Sequence, residues 1–334
     1  MTSLPLSTRN DPRPRRRAEL LDLHPSVASF RDEVLAGLRS TPKSISPKYF
    51  YDARGSELFE RITRLPEYYP TRVEIGLLES RTEELAALLG ERWELIELGS
   101  GSSRKTRILL DAASGRGSYL PVDISKDHLV DAAGQIAQEY PGVRVVAVCA
   151  DYTRRLPLER LDPRARRIVF FPGSTIGNFE PPAAAEFLGN IATLLGDGDR
   201  VIIGVDLQKS PAILHAAYND AAGVTAKFNL NLLQRINREL GANFDLRRFE
   251  HVALYDVTAG RIEMHLRSIG RQTVRIGPLE IDIEDREMIH TENSYKYTRE
   301  AFAGLAKGAG LEPSEVWTDP ELLFSIWVLE PQRS

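Results

Sequence analysis

Apolar positions recur along this chain with two different periods, and the switches between them mark its organisation. Residues 26–38 set Val27, Phe30, Val34 and Leu38 at three- and four-residue intervals, which predicts an amphipathic helix. Pro42 and Pro47 break that pattern, and a short helix is expected over 56–62. Aromatic residues crowd this region: Tyr49, Phe50 and Tyr51, then Tyr68 and Tyr69 inside Leu65-Pro66-Glu67-Tyr68-Tyr69-Pro70-Thr71. Two readings of that stretch stand side by side. It is a packed connector, or it is a pocket wall, because tyrosine brings apolar area together with a hydroxyl.

From residue 72 onward, helical patterns alternate with short apolar runs. The pattern predicts a helix over 71–89, a strand at 95–98, a helix at 104–113, and a strand at 119–122 running into Asp123. A helix at 125–138 and a strand at 143–149 follow, then Asp151-Tyr152. The next strand, 167–171, leads into Pro172-Gly173-Ser174-Thr175-Ile176-Gly177-Asn178, and a helix at 182–195 and a strand at 201–205 complete the series. Strand and helix alternating this often predict an α/β fold, a doubly wound, mostly parallel sheet with helices on both faces. The alternation stops after Asp206. Residues 208–242 read as helical, and 250–290 as antiparallel strands at 251–255, 261–267 and 273–276. A helix at 298–309 and strands at 315–318 and 324–329 close the chain. The expected division is therefore a doubly wound domain of residues 73–207 and 297–334, and a discontinuous α+β domain of residues 18–72 and 208–296. Residues 1–17, with Arg13, Arg15, Arg16 and Arg17, are expected to form a flexible basic tail. Ligands of such sheets sit beyond the carboxyl ends of the strands, so the site is expected in the cleft between the two domains.

Composition narrows the function. The 334 residues carry 43 Lys+Arg against 47 Asp+Glu, a formal net charge of −4, which argues against a nucleic-acid partner. The single cysteine, Cys149, leaves no disulfide framework and fits a reducing compartment. No apolar run is long enough for a membrane span, and no apolar leader segment is visible. The six histidines show no metal-ligand spacing, so no metal is expected. A soluble, cytoplasmic monomer is the expectation.

Candidate chemistry starts at Glu97-Leu98-Gly99-Ser100-Gly101, between a predicted strand and a predicted helix. Glycines there let the backbone approach a ligand, and the helix start offers unpaired N–H groups. The dinucleotide fingerprint lacks its third glycine, since the run ends in Arg104, and the Gly-Lys-Ser/Thr of a P-loop is absent. Asp123 ends the next strand, where a carboxylate can accept from both hydroxyls of a ribose. Asp151 and Tyr152 end the third, where they can meet an adenine amine and cover its ring. This set resembles class I methyltransferases that bind S-adenosylmethionine, and an acidic Glu97 beside the loop suits a sulfonium donor. Dinucleotide-linked redox chemistry and a non-catalytic nucleotide sensor remain as alternatives at this point.

A closer resemblance runs in order from about residue 26 almost to the end. Leu65-Pro66-Glu67-Tyr68-Tyr69-Pro70-Thr71-Arg72, the glycine loop with Lys105-Thr106, Gly173-Ser174-Thr175-Ile176-Gly177-Asn178 and Tyr218-Asn219-Asp220-Ala221-Ala222-Gly223-Val224-Thr225 carry it. Arg261-Ile262-Glu263-Met264 and Glu292-Asn293-Ser294 extend it. The chain resembles the histidine-specific N-alpha-methyltransferases of ergothioneine biosynthesis. The resemblance implies transfer of three methyl groups from S-adenosylmethionine to the α-amine of L-histidine. It implies cofactor contacts from Gly99, Lys105, Asp123, Asp151 and Tyr152, and histidine contacts from Tyr68, Asn178, Tyr218, Glu292, Asn293 and Ser294. Asn178 and Tyr218 can donate to a substrate carboxylate. Glu292 and Ser294, two apart on a strand, share a face and can grip two imidazole nitrogens. No dedicated base is assigned; Tyr51 and the Gly173 carbonyl are candidates for orienting the amine. Tyr295 and Tyr297 depart from the family's pattern and fall on the opposite face. Two alternatives follow: methylation of another amino acid's α-amine, or a sensor that binds without turnover.

Overall fold

The computed structural model describes residues 18–24, 29–99 and 103–332; the expected basic tail and residues 100–102 of the glycine loop lie outside them. The elements run β1 (Glu19–Asp22), α1 (Phe30–Arg39), β2 (Lys43–Ser44), α2 (Ala53–Ile62), α3 (Tyr69–Glu79), α4 (Thr82–Leu89) and β3 (Arg92–Leu98). They continue through α5 (Arg104–Ala112), β4 (Arg116–Asp123), α6 (Lys126–Glu139), β5 (Arg144–Cys149), β6 (Arg166–Phe171), α7 (Pro181–Ala192) and β7 (Arg200–Asp206). After these come α8 (Pro211–Tyr218), α9 (Val224–Leu240), β8 (Phe249–Asp256), β9 (Arg261–Ser268), β10 (Gln272–Ile276) and β11 (Leu279–Ile283). The last are β12 (Met288–Tyr295), α10 (Arg299–Gly308), β13 (Leu311–Thr318) and β14 (Phe324–Pro331).

Eight strands form one sheet in the order β1-β5-β4-β3-β6-β7-β14-β13. The first six are parallel, and β14 and β13 are antiparallel to their neighbours. β3, β6 and β7 are buried at nearly every position, as strands covered on both faces must be. Separate apolar clusters fill the two faces, one around Phe171, Phe187 and Trp327, the other around Leu85, Leu109 and Phe170. A four-stranded sheet, β2-β12-β9-β8, packs with α1, α2 and α9 around a third cluster that includes Phe50, Phe228 and Met264. The two sheets meet at the end of β12: Leu207 bridges to Tyr297, whose N–H donates to the Asp206 carbonyl at 3.1 Å.

Four expectations are corrected. The helix expected over 71–89 is two, α3 and α4, because Arg81 leaves helical geometry and the Ser80 hydroxyl turns back to the Leu77 carbonyl. The apolar period carries on through the break and hides it. Likewise 208–242 holds α8 and α9, with the Asp220 carboxylate capping α9 through the Val224 and Thr225 amides. The helix expected at 56–62 begins at Ala53, where the Asp52 side chain accepts from the Gly55 amide. Finally, residues 18–72 do not all leave the large sheet. Glu19–Asp22 pairs with β5 as an edge strand, unread in the sequence because Leu20 and Leu21 point to solvent and alternate with nothing.

Candidate active site

The carboxyl ends of β3, β4, β5, β6 and β7 open toward the four-stranded sheet, and the predicted residues gather there. Gly99 follows β3 with φ +76°, a left-handed conformation that suits glycine, and a side chain there would meet the Tyr152 phenol at 3.6 Å. Tyr152 is held edge-on by Phe171 and Phe187. Asp123 ends β4 with one oxygen accepting from the Ser125 amide at 2.9 Å, and burial raises its pKa above the ordinary value. Gly99, Tyr152 and Asp123 thus leave a backbone approach, a ring and a carboxylate around one opening. Those are the groups a nucleoside with a free ribose edge requires, and they fit S-adenosylmethionine.

Other donor-side residues differ from expectation. Asp151 accepts from the Thr153 amide and hydroxyl at 3.1 and 2.6 Å and has Arg154 at 3.5 Å, so it shapes its own turn. Glu97 faces inward, accepting from Thr106 Oγ1 at 2.7 Å and from the Tyr119 hydroxyl, rather than facing the loop. Lys105 is paired with Glu74, a carboxylate only 1% exposed that also takes the Gly173 N–H at 2.8 and 3.0 Å. Nothing in the sequence marked Glu74, since a glutamate in a surface-length helix reads as solvated. The Gly173 N–H is consumed there, and its carbonyl is taken by none of these groups.

On the acceptor side, the aromatic stretch resolves as a wall. Tyr51 packs on Phe59 and Phe228 at 5.5 and 5.8 Å, Phe59 on Tyr68 at 6.3 Å, and Tyr68 on Tyr218 at 6.5 Å. Tyr51 is 48% exposed and forms the open edge of this wall. Glu292 is 9% exposed, and its carboxylate has no hydrogen-bond partner among the described residues. Burial lifts its pKa from about 4.5 to about 7, even with Lys296 nearby to lower it. Ser294 lies on the same face of β12, where Tyr218 donates to its Oγ at 2.8 Å. Tyr218, expected to donate to a substrate carboxylate, gives its proton to Ser294 here. Asn178, at the end of the one-turn helix Thr175–Asn178, has no side-chain partner among the described residues.

Asn293 does not join this group. Alternation puts it on the other face of β12, where its amide nitrogen donates to Glu180 at 2.7 Å and its Oδ1 accepts from His290 Nε2 at 2.8 Å. Tyr295 lies there too, bonded to Glu180 at 2.5 Å and to Arg261. The sequence reading missed Lys296, which the same alternation places with Glu292 and Ser294. Its ammonium donates to Ser294 Oγ at 2.7 Å and Tyr218 Oη at 3.0 Å and pairs with Asp206 at 2.8 Å. Asp206 ends β7 as Asp123 ends β4, a signal that was available. Burial opposes its charge, but Lys296 and Lys209 outweigh burial and hold its pKa below the ordinary range.

A doubly wound sheet of this strand order, with a glycine turn after its first central strand and a carboxylate at the end of the next, defines a Rossmann-like methyltransferase. The chain belongs to the histidine-specific, S-adenosylmethionine-dependent methyltransferases, whose family model matches residues 30–331. It is 46% identical over 308 residues to the histidine N-alpha-methyltransferase of Mycolicibacterium smegmatis, covering 91% of this chain and 95% of that one. It is 33% identical over 285 residues to ergothioneine biosynthesis protein 1 of Neurospora crassa, covering 83% of this chain and 32% of that protein. A more distant relative is a 4-dimethylallyltryptophan N-methyltransferase of Epichloe festucae var. lolii, 27% identical over 331 residues, 91% of this chain and 96% of that one. Among the described residues no helix is long and apolar enough to cross a membrane.

Proposed function

We propose that this enzyme transfers three methyl groups in succession from S-adenosylmethionine to the α-amine of L-histidine, a step of ergothioneine biosynthesis, and does so as a cytoplasmic monomer. The observation that carries the reading is the unpartnered, buried carboxylate of Glu292 beside Ser294, at the foot of an aromatic wall. A carboxylate and a hydroxyl two residues apart on one strand face match the two nitrogens of an imidazole. Residues 73–207 and 297–334 then serve the donor, and most of 29–72 and 208–296 serve the acceptor.

Gly99, Asp123 and Tyr152 would hold the nucleoside, and Lys105, released from Glu74, its amino-acid end. When bound, S-adenosylmethionine supplies an electrophilic methyl group on a sulfonium. The chain's own part is placement: an amine must present its lone pair along one line, and fixing that geometry is worth several kcal/mol of barrier, up to about 7–11 in the best cases. Asn178 holds the substrate carboxylate, while Tyr51 and the Gly173 carbonyl orient the amine. Tyr51, Phe59, Phe228 and Tyr68 line the recess with rings and limit water beside the reacting nitrogen. Incubation with S-adenosylmethionine and each of the twenty amino acids, read by mass, tests the proposal. Histidine gaining three methyl groups is expected. No methylated amino acid would overturn the enzymatic reading, and preference for another side chain would overturn the substrate.

A further inference from the structure

We propose that Lys296 is a positioning residue for side-chain recognition: by filling the acceptor capacity of Ser294 it turns that hydroxyl into an obligatory donor aimed into the recess. The inference rests on the histidine reading above and adds to it which ring nitrogen must carry the proton.

An ammonium has three N–H donors and no acceptor. Lys296 is 3% exposed, and its three donors have three partners: Ser294 Oγ at 2.7 Å, Tyr218 Oη at 3.0 Å and Asp206 Oδ2 at 2.8 Å. Its orientation is therefore fixed from three directions. Asp206 is itself anchored by Lys209 at 2.5 Å, by the Tyr69 hydroxyl at 2.8 Å and, through its own amide, by Ser174 Oγ at 2.9 Å. A serine hydroxyl has two lone pairs and one proton. Lys296 occupies one lone pair of Ser294, and the Tyr218 hydroxyl, 2.8 Å away, occupies the other. Tyrosine gives the proton in that contact because a phenol, ordinarily near pKa 10, is far more acidic than an alkyl alcohol. The hydrogen-bonding capacity left on Ser294 is its own O–H: Lys296 has no lone pair to accept it, and the contact to Tyr218 is already filled by the tyrosine's proton. That O–H points away from Lys296 and Tyr218, on the strand face it shares with Glu292.

Above about pH 7 Glu292 is a carboxylate and only accepts. The strand face therefore presents one donor and one acceptor, complementary to a ring with one bare nitrogen and one N–H. A neutral imidazole in a single tautomer satisfies both. An imidazolium, with two N–H groups, would set a donor against a donor at Ser294.

The test is a cycle of Lys296→Met, Ser294→Ala and the double variant, with KM and kcat for L-histidine measured at saturating S-adenosylmethionine. Ser294→Ala and Lys296→Met should each raise KM by about tenfold and leave kcat within about twofold, and the double variant should be no worse than Ser294→Ala. Lys296→Gln, which keeps two N–H donors, should recover most of the loss. Nitrogen-15 NMR of labelled histidine, bound to the wild-type protein with S-adenosylhomocysteine, should show one protonated and one lone-pair ring nitrogen. That measurement needs no variant to fold. Additive losses in the double variant, an unchanged KM in Lys296→Met, or a bound imidazolium would overturn the inference while histidine remains the substrate. Absence of histidine methylation by the wild type would overturn the substrate reading and this inference with it.

Discussion

Replacing Glu292 by glutamine should make the protein more stable while weakening histidine binding, and the gain should depend on pH in a defined window. In the unfolded chain this carboxyl ionises near its ordinary value of 4.5; in the fold, burial delays ionisation to about 7. Between those values the folded state binds the extra proton, so stability falls as pH rises from about 4.5 to about 7 and is level above. A difference of about 2.5 pKa units corresponds to about 3 kcal/mol. At 9% exposure there is little solvent to screen the group. Glu292→Gln keeps the shape and removes the titration. At pH 8 the variant should be the more stable by up to about 3 kcal/mol, and near pH 4 the advantage should vanish. Urea denaturation of both proteins across this range, compared as a difference, isolates Glu292 from every other titrating group. In the same variant, loss of a charged hydrogen bond of about 1.5–3 kcal/mol should weaken histidine by about 10- to 150-fold in calorimetry. A stability difference that stays flat with pH, or a variant less stable at pH 8, would refute the account of this carboxylate as buried without a partner.

Three further outcomes are expected. Asp123→Ala should weaken S-adenosylmethionine by about 10- to 150-fold in titration calorimetry, since it removes a charged acceptor for ribose hydroxyls; unchanged affinity would mean the donor binds elsewhere. Asn178→Ala should raise KM for every accepted amino acid alike, whereas Asn293→Ala, whose amide faces Glu180 and His290, should leave histidine KM within about twofold; a large effect at Asn293 would contradict the strand alternation. Gly204→Ala would place a methyl group 2.2 Å from Glu74 Oε1 and 3.0 Å from the Phe324 ring. It should cost about 1–3 kcal/mol in denaturation and also reduce donor affinity, because Glu74 must shift away from Lys105 and Gly173; donor affinity equal to wild type would separate Glu74 from the site.

The large sheet was legible because its strands are buried on both faces and its helices carry a regular apolar stripe. What escaped was held by contacts that leave no period in the sequence. Glu19–Asp22 is an exposed edge of four residues, and the break between α3 and α4 depends on one residue leaving helical geometry. At the site, Gly99 and Asp123 could be placed because strand ends fix where side chains point, whereas Glu292 and Ser294 came with the family resemblance and alternation only put them on one face. Asn293 was carried by its neighbours in the motif, although the same alternation turns it away. Glu74, Asp206 and Lys296 form buried ion pairs between elements far apart in sequence, so Glu74 and Lys296 looked like ordinary surface charges until their partners were in place, and Asp206 had only its strand end to mark it.

The junction at Tyr297 makes β12 a ruler. Just past its end the chain is hydrogen-bonded to the end of β7 in the large sheet, and the residues proposed to read the acceptor lie a fixed number of steps back along it. At about 3.3 Å per residue, Glu292 sits roughly 16 Å of strand from Tyr297, and no rearrangement of loops changes that distance. A substrate is thus measured by length as well as by chemistry: its amine must fall at the donor's methyl while its far end reaches Glu292. Acceptance of a longer or bulkier amino acid would have to come from shortening the side chains along β12 and the aromatic wall, since the scale on which they are marked is set by the backbone.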